Sequence, residues 1–188
     1  MKKNIIIFGG SGFIGHNLIK RLKKFNFNIT SASRKKPKKE KLIKGITYLI
    51  CDIYKKNELK KINLNYQFVV NLSGNIDHGN KSQTHKSHFV GCKNLINFFS
   101  NKKIKLFIQV GSSLEYGSQK ISHTENLNCN PISHYGIAKL KATNFIKKIH
   151  VKKKFPFIVL RLYQIYGQHQ KFDRLIPHVI DSCLKDKS

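Results

Sequence analysis

Six short apolar runs punctuate the chain, near residues 4–8, 28–32, 46–50, 67–72, 105–110 and 156–161. They are nearly continuous and rich in β-branched residues, as in Ile5-Ile6-Ile7-Phe8. Strands of that kind are buried on both faces, which is the situation of parallel strands covered by helices. Helical patterns alternate with them at 13–25, 55–62, 83–100, 134–149 and 172–184, the third carrying Phe89, Leu95, Ile96, Phe98 and Phe99. Strand–helix alternation predicts an α/β fold with a doubly wound parallel sheet, the Rossmann arrangement. The Lys/Pro stretch 34–41 reads as a loop. Residues 111–133, rich in Ser, Asn and Gly, read as a longer irregular segment of the sort that carries function. There is no internal repeat and no low-complexity linker, so residues 1–188 read as one domain.

The first strand runs straight into Gly9-Gly10-Ser11-Gly12-Phe13-Ile14-Gly15. A strand that turns sharply into a helix aims several backbone N–H groups at one spot, and the helix dipole adds positive potential there. Gly9 suits the tight turn, Gly12 the approach of a pyrophosphate, and Gly15 close helix–strand packing. Gly9, Gly12, Phe13, Ile14 and Gly15 are therefore candidate dinucleotide-binding residues. The end of the second strand discriminates between the two nicotinamide cofactors, because an acid there bonds the ribose 2′-hydroxyl and a base accommodates a 2′-phosphate. Here it reads Ser31-Ala32-Ser33-Arg34-Lys35, with no acid. Ser33 and Arg34 favour NADP over NAD.

Tyr135 and Lys139 lie four residues apart and share one face of a helix. A free tyrosine has a pKa of about 10. A nearby ammonium and a positive nicotinamide ring favour its phenolate. A serine from a neighbouring strand end, in Ser112-Ser113, could hold a substrate oxygen while a proton moves at an alcohol or sugar carbon.

Composition changes the picture little. The net charge is +27, but only four of the 36 basic residues are Arg. Base and phosphate forks favour Arg. Lysine spread over every segment reads as a solvated surface rather than a nucleic-acid interface. The runs 34–39 and 152–154 would carry any binding to an acidic partner. No apolar run reaches the roughly 18 residues of a membrane span. Cys51, Cys92, Cys129 and Cys183 show neither C-x-x-C nor zinc spacing, and are expected as reduced thiols of a cytoplasmic protein. His78, His85 and His88 lack companions of ligand character, so no metal is expected. His134 reads as a helix-entry residue. Glu115 and Glu125 read as exposed loop carboxylates.

Taken together, these segments resemble the extended short-chain dehydrogenase/reductase family, the NAD(P)-dependent epimerases, dehydratases and reductases of nucleotide-sugars. Gly9, Gly12 and Gly15 match its cofactor loop, Asp52-Ile53 its adenine-contacting pair, and Asn71-Leu72-Ser73-Gly74 the segment lining the cofactor after the fourth strand. Val110 to Gly117 is similar to its fifth strand, which implies that Ser112 is catalytic. Pro131 to Lys139 is similar to its catalytic helix, which implies the same of Tyr135 and Lys139, both also cofactor contacts. Arg161 to Gly167 matches the segment beside nicotinamide and substrate. Ser113 and Gln164 are substrate candidates.

There are departures. His88 and Gln164 stand where the family usually has Asn. The Asp–Glu pair with which sugar 4,6-dehydratases perform elimination is replaced by Ser113 and Leu114, and leucine moves no proton. The resemblance thus implies a 4-keto-deoxysugar reductase or 4-epimerase. The alternative is a catalytically silent dinucleotide-binding module acting through a partner. The family typically continues for roughly another hundred residues, which supply a further strand and the sugar-gripping subdomain. That subdomain is expected to be largely missing here, leaving apolar surface exposed on the last elements. The family also commonly forms homodimers through helices, including the one with Tyr135.

Overall fold

The computed structural model describes residues 2–62, 65–75 and 79–185. Six strands form one sheet: β1 (Lys3–Phe8), β2 (Phe27–Ser33), β3 (Thr47–Ile50), β4 (Phe68–Asn71), β5 (Leu106–Ser112) and β6 (Phe157–Leu162). Every pairing is parallel, in the order β3-β2-β1-β4-β5-β6. The order reverses between β1 and β4, and a doubly wound sheet opens its ligand crevice at the carboxyl ends of the strands at such a point. Among the described residues no helix is long and apolar enough to cross a membrane.

The predicted strands are all present, and β1 shows why the runs are continuous. Ile5 and Ile7 point to one face, where they pack with Ile19, Ile29 and Val70. Ile6 and Phe8 point to the other, among Val69, Leu95, Ile96, Phe99, Phe107 and Ile146. A period of two with helices on both sides demands apolar residues at every position. Helix α1 (Phe13–Leu22) covers the first face. Helices α3 (Gly91–Phe99) and α4 (His134–Lys153) supply the second.

Several helical expectations are refined. Residues 55–62 form a 3₁₀ turn at Lys56–Lys61, and the basic loop holds another at Lys39–Lys41. The helix expected over 83–100 is broken into α2 (Lys81–His85), a π turn (Lys86–Val90) and α3. Helix α4 runs past residue 149 because His150, Lys152 and Lys153 suit the negative end of its dipole, and Lys154 ends it at φ 52°. Its start is capped by Ser133, whose Oγ accepts from the Gly136 N–H at 3.0 Å. The last helix, α5 (Leu175–Leu184), buries no residue. Leu175, Ile180 and Leu184 lie open, as do Ile158 and Leu160 on the edge strand β6. The exposed apolar surface expected on the last elements is present.

Candidate active site

At the end of β1, Gly9 adopts φ +78°, which L side chains rarely adopt, and a Cβ there would stand 2.8 Å from the Leu72 carbonyl. Gly15 packs so tightly that its Cβ would overlap the Gly9 carbonyl and stand 2.6 Å from Gly10 Cα. Gly12, exposed, is the N-cap of ten-residue α1 and brings no side chain to it. Bare backbone at the positive end of a helix fits a diphosphate. Phe13 and Ile14 follow, both half-buried. Gly15→Ala is expected to lower coenzyme affinity at least about tenfold and to cost about 1–3 kcal/mol of stability, since the added methyl has nowhere to go. Calorimetric titration and thermal melting measure both.

The other cofactor candidates border the same end of the sheet. Leu72 and Ser73 lie against Gly9, and Asn71 Oδ1 accepts from the Ser73 N–H at 3.1 Å. Gly74 meets the His88 ring so closely that a Cβ would overlap it. Asp52 Oδ1 accepts from the Tyr54 N–H at 3.0 Å. The backbone carbonyls of Ile53 and Tyr54 each accept from Asn94 Nδ2 at 3.0 Å. Ser33 Oγ donates to the Lys35 carbonyl at 2.8 Å, and exposed Arg34 lies 6.0 Å above the Tyr54 ring. After β6 the chain returns to α1. Asn17 Nδ2 donates to the Gln168 carbonyl at 3.0 Å, Lys20 Nζ is 3.1 Å from His169 Nε2, and the His16 and His169 rings meet edge-on at 5.5 Å. Burial and the neighbouring Lys20 charge hold His16 below the ordinary imidazole value.

Ser112, Tyr135 and Lys139 come together at the end of β5. Ser112 Oγ accepts from the Leu114 N–H at 3.2 Å. Burial raises the Tyr135 phenol above its ordinary value, a hydrogen bond with Ser112 lowers it, and the Glu115 charge adds to the rise. Its place in the first turn of α4 puts it near the positive end of that helix. The Lys139 ammonium is 5.6 Å from the Tyr135 ring centre and donates to the Val110 carbonyl at 2.7 Å. The expectation that the ammonium sets the phenol's acidity is thus refined. In the protein alone, burial of Tyr135 governs it and the Ser112 hydroxyl opposes.

Burial lowers Lys139 to about 8, with Cys92 and Glu115 opposing. Above that pH the unfolded chain holds the proton more tightly than the fold does, so stability from this group rises with pH from about 8 towards the ordinary lysine value of 10.5. The melting temperature of the parent is therefore expected to rise relative to Lys139→Met between pH 8 and 10, and parallel melting curves would exclude the shift.

Glu115 corrects an expectation. It is not an exposed loop carboxylate but fully buried, paired with Arg161 at 3.1 Å. The available signal was Arg161 itself, one of four arginines in a lysine-rich chain, placed within a strand. Glu125 is exposed as expected. His88 is buried in the π turn, its ring edge-on to Tyr135 at 4.7 Å and its Nε2 3.1 Å from the Asn75 carbonyl. A π turn often marks a functional position. Cys92, its thiol pushed up to about 12 by burial, donates to Gln109 Oε1 at 2.9 Å beneath the same site. Ser113 is half-buried beside the triad, whereas Gln164 is exposed. His85 lies against Phe89, and His78 lies outside the described residues. Among the described residues no three His, Cys, Asp or Glu side chains gather as metal ligands.

The strand order reverses between β1 and β4, the glycine-rich turn follows β1, and Ser112, Tyr135 and Lys139 gather at the end of β5. The model of the NAD dependent epimerase/dehydratase family matches residues 5–188, and the chain belongs to that family. A putative UDP-glucose 4-epimerase of Methanocaldococcus jannaschii is 25% identical, over 98% of this chain and 64% of its own length. The UDP-glucose 4-epimerase of Thermotoga maritima, solved with UDP-glucose, superposes with a TM-score of 0.90 at 21% identity, over 98% of this chain and 64% of that one. The UDP-glucuronic acid 4-epimerase of Bacillus cereus, solved with NAD, gives 0.86 at 23% identity with the same coverage. This chain therefore spans less than two thirds of the length of each.

Proposed function

We propose that this chain is the coenzyme-binding and proton-transfer part of a nucleotide-sugar 4-ketoreductase or 4-epimerase. The observation that carries the reading is the meeting of Ser112, Tyr135 and Lys139 at the end of β5. Gly9, Gly12 and Gly15 would hold the diphosphate, with Asp52 and Ile53 at the adenine end and Leu72 to Gly74 along one wall. A nicotinamide coenzyme bound there supplies or takes the hydride. The protein's own groups handle the proton. Tyr135 gives it to the substrate oxygen in reduction and recovers it in oxidation. Ser112 holds that oxygen, and Lys139, tied to Val110, orients the ribose and supplies positive charge near the phenol. A phenol raised by burial stays protonated at neutral pH, which suits it as the acid in ketone reduction. Leu114, half-exposed beside the cluster, offers no acid–base group for elimination, so dehydration is disfavoured.

The coenzyme we favour is NADP, although the Bacillus cereus neighbour was solved with NAD. The support is the absence of an acid after β2 and the exposed Arg34 beside Tyr54. NADPH is expected to bind more tightly than NADH, and Arg34→Ala to erase about tenfold of that preference, roughly 1.4 kcal/mol. Tighter binding of NADH to the parent would overturn the NADP assignment.

Residues 1–188 act in this reading as one dinucleotide-binding domain. The sugar-gripping part corresponds to the portion of the relatives that this chain does not span, and pairing of two copies through α4 would follow the family habit. The open apolar residues of β6 and α5 support a second reading, a module without turnover that works against a covering partner. NADPH oxidation by 4-keto-deoxysugar nucleotides decides between them. Turnover supports the enzyme, and tight coenzyme binding without turnover supports the module.

A further inference from the structure

Glu115 is the only fully buried acid among the described residues, and the proton-transfer scheme leaves it without a task. Its carboxylate reaches three elements. Oε1 accepts from the Ser112 N–H at 2.9 Å, at the end of β5. Oε2 accepts from Thr143 Oγ1 at 2.8 Å, on α4, and from Arg161 Nε at 3.1 Å, on β6. Space has been kept for it, since a Cβ on Gly111 would overlap Oε1. Its counter-charge is also held in place, with the Arg161 guanidinium 4.5 Å above the Tyr116 ring.

The row that Glu115 grips on α4 is the informative point. Tyr135, Lys139 and Thr143 recur every four residues, one above another on a single face. The carboxylate thus ties the strand end bearing Ser112 to the helix row bearing Tyr135. The Ser112 hydroxyl has one hydrogen and two lone pairs. With its backbone held by Glu115 and one lone pair taken by Leu114, only its hydrogen and one lone pair remain to meet Tyr135.

We propose that Glu115, neutralised by Arg161, is a positioning residue that sets the end of β5 against α4 and so aims the Ser112 hydroxyl at the Tyr135 phenol. The inference rests on Ser112 and Tyr135 being the reacting pair, and the test below needs neither coenzyme nor turnover.

The full chain is labelled with tyrosine carrying ¹³C at the ζ-carbon, whose resonance senses hydrogen bonding at the phenol. Tyr135→Phe assigns the signal. Ser112→Ala and Glu115→Gln should each displace it. In the Ser112→Ala background, the displacement caused by Glu115→Gln should shrink to less than about half, because most of its effect passes through the serine. Equal displacement in both backgrounds, or none in either, overturns the proposal, since loss of charge or of stability alone acts without Ser112. Thr143→Val, which removes one of the three partners, should move the signal in the same direction by a smaller amount. Should Glu115→Gln fail to fold, an unmoved signal in Thr143→Val overturns the proposal. Coupling seen in a chain without turnover would leave the positioning intact and remove the catalytic reading.

Discussion

Tyr135→Phe is expected to cut NADPH-dependent reduction of a 4-keto-deoxysugar nucleotide by about 10²–10⁴-fold, the range for loss of a positioned acid or base. That is about 3–5 kcal/mol of transition-state stabilisation. The substitution removes one oxygen and its proton and leaves the ring, so the edge-on contact with His88 at 4.7 Å is retained. Coenzyme affinity and melting temperature should therefore stay close to those of the parent. The signature is a fall in kcat with coenzyme binding preserved. Because burial raises the phenol, the parent's rate of reduction should remain level through neutral pH and decline from about pH 8, where Lys139 loses its charge, before the phenol itself ionises. A Tyr135→Phe variant working within about tenfold of the parent would mean that the proton comes from another group, and the assignment of the acid would fall.

Glu115→Ala is expected to destabilise the fold by about 3–5 kcal/mol, because it breaks a buried ion pair and strands a charge. The Arg161 side chain is only 11% exposed, and the Ser112 N–H and Thr143 hydroxyl lose their acceptor as well. For a chain of this size each kcal/mol moves the melting temperature by about 2–4 °C, so a fall on the order of 10 °C is expected. Replacing both partners by apolar residues, Glu115→Leu with Arg161→Met, should recover much of the loss, since no charge is then left without a partner. Melting of Glu115→Ala within about 2 °C of the parent would show that the network does not hold the sheet to α4.

The two predictions fall on opposite sides of what linear patterns reveal. Tyr135 was legible because its partner lies one helical turn away, at Lys139, and the helix period converts that spacing into proximity. Gly9, Gly12 and Gly15 were legible for a related reason. Their turn depends on local backbone geometry, and the apolar run before them announces the strand. Glu115 was not legible. Two of its three partners are 28 and 46 residues away, on α4 and β6, and nothing in their separation reports that they meet. The irregular segment 111–133 made an exposed carboxylate the natural expectation, whereas the 3₁₀ turn at Ser113–Glu115 directs that side chain inwards. The break between α2 and α3 leaves no mark in the sequence either, because a π turn changes the helix by a single residue and leaves the apolar pattern almost intact.

The parallel sheet, its helix cover, the glycine turn and the Tyr–Lys pair were written in the chain, since each follows from periodicity or from contacts within a few residues. The acidity of the phenol, the seating of His88 against Tyr135, the burial of Glu115 and the open apolar edge at β6 and α5 were settled by folding. They depend on which distant surfaces exclude water from one another, and order along the chain carries no record of that.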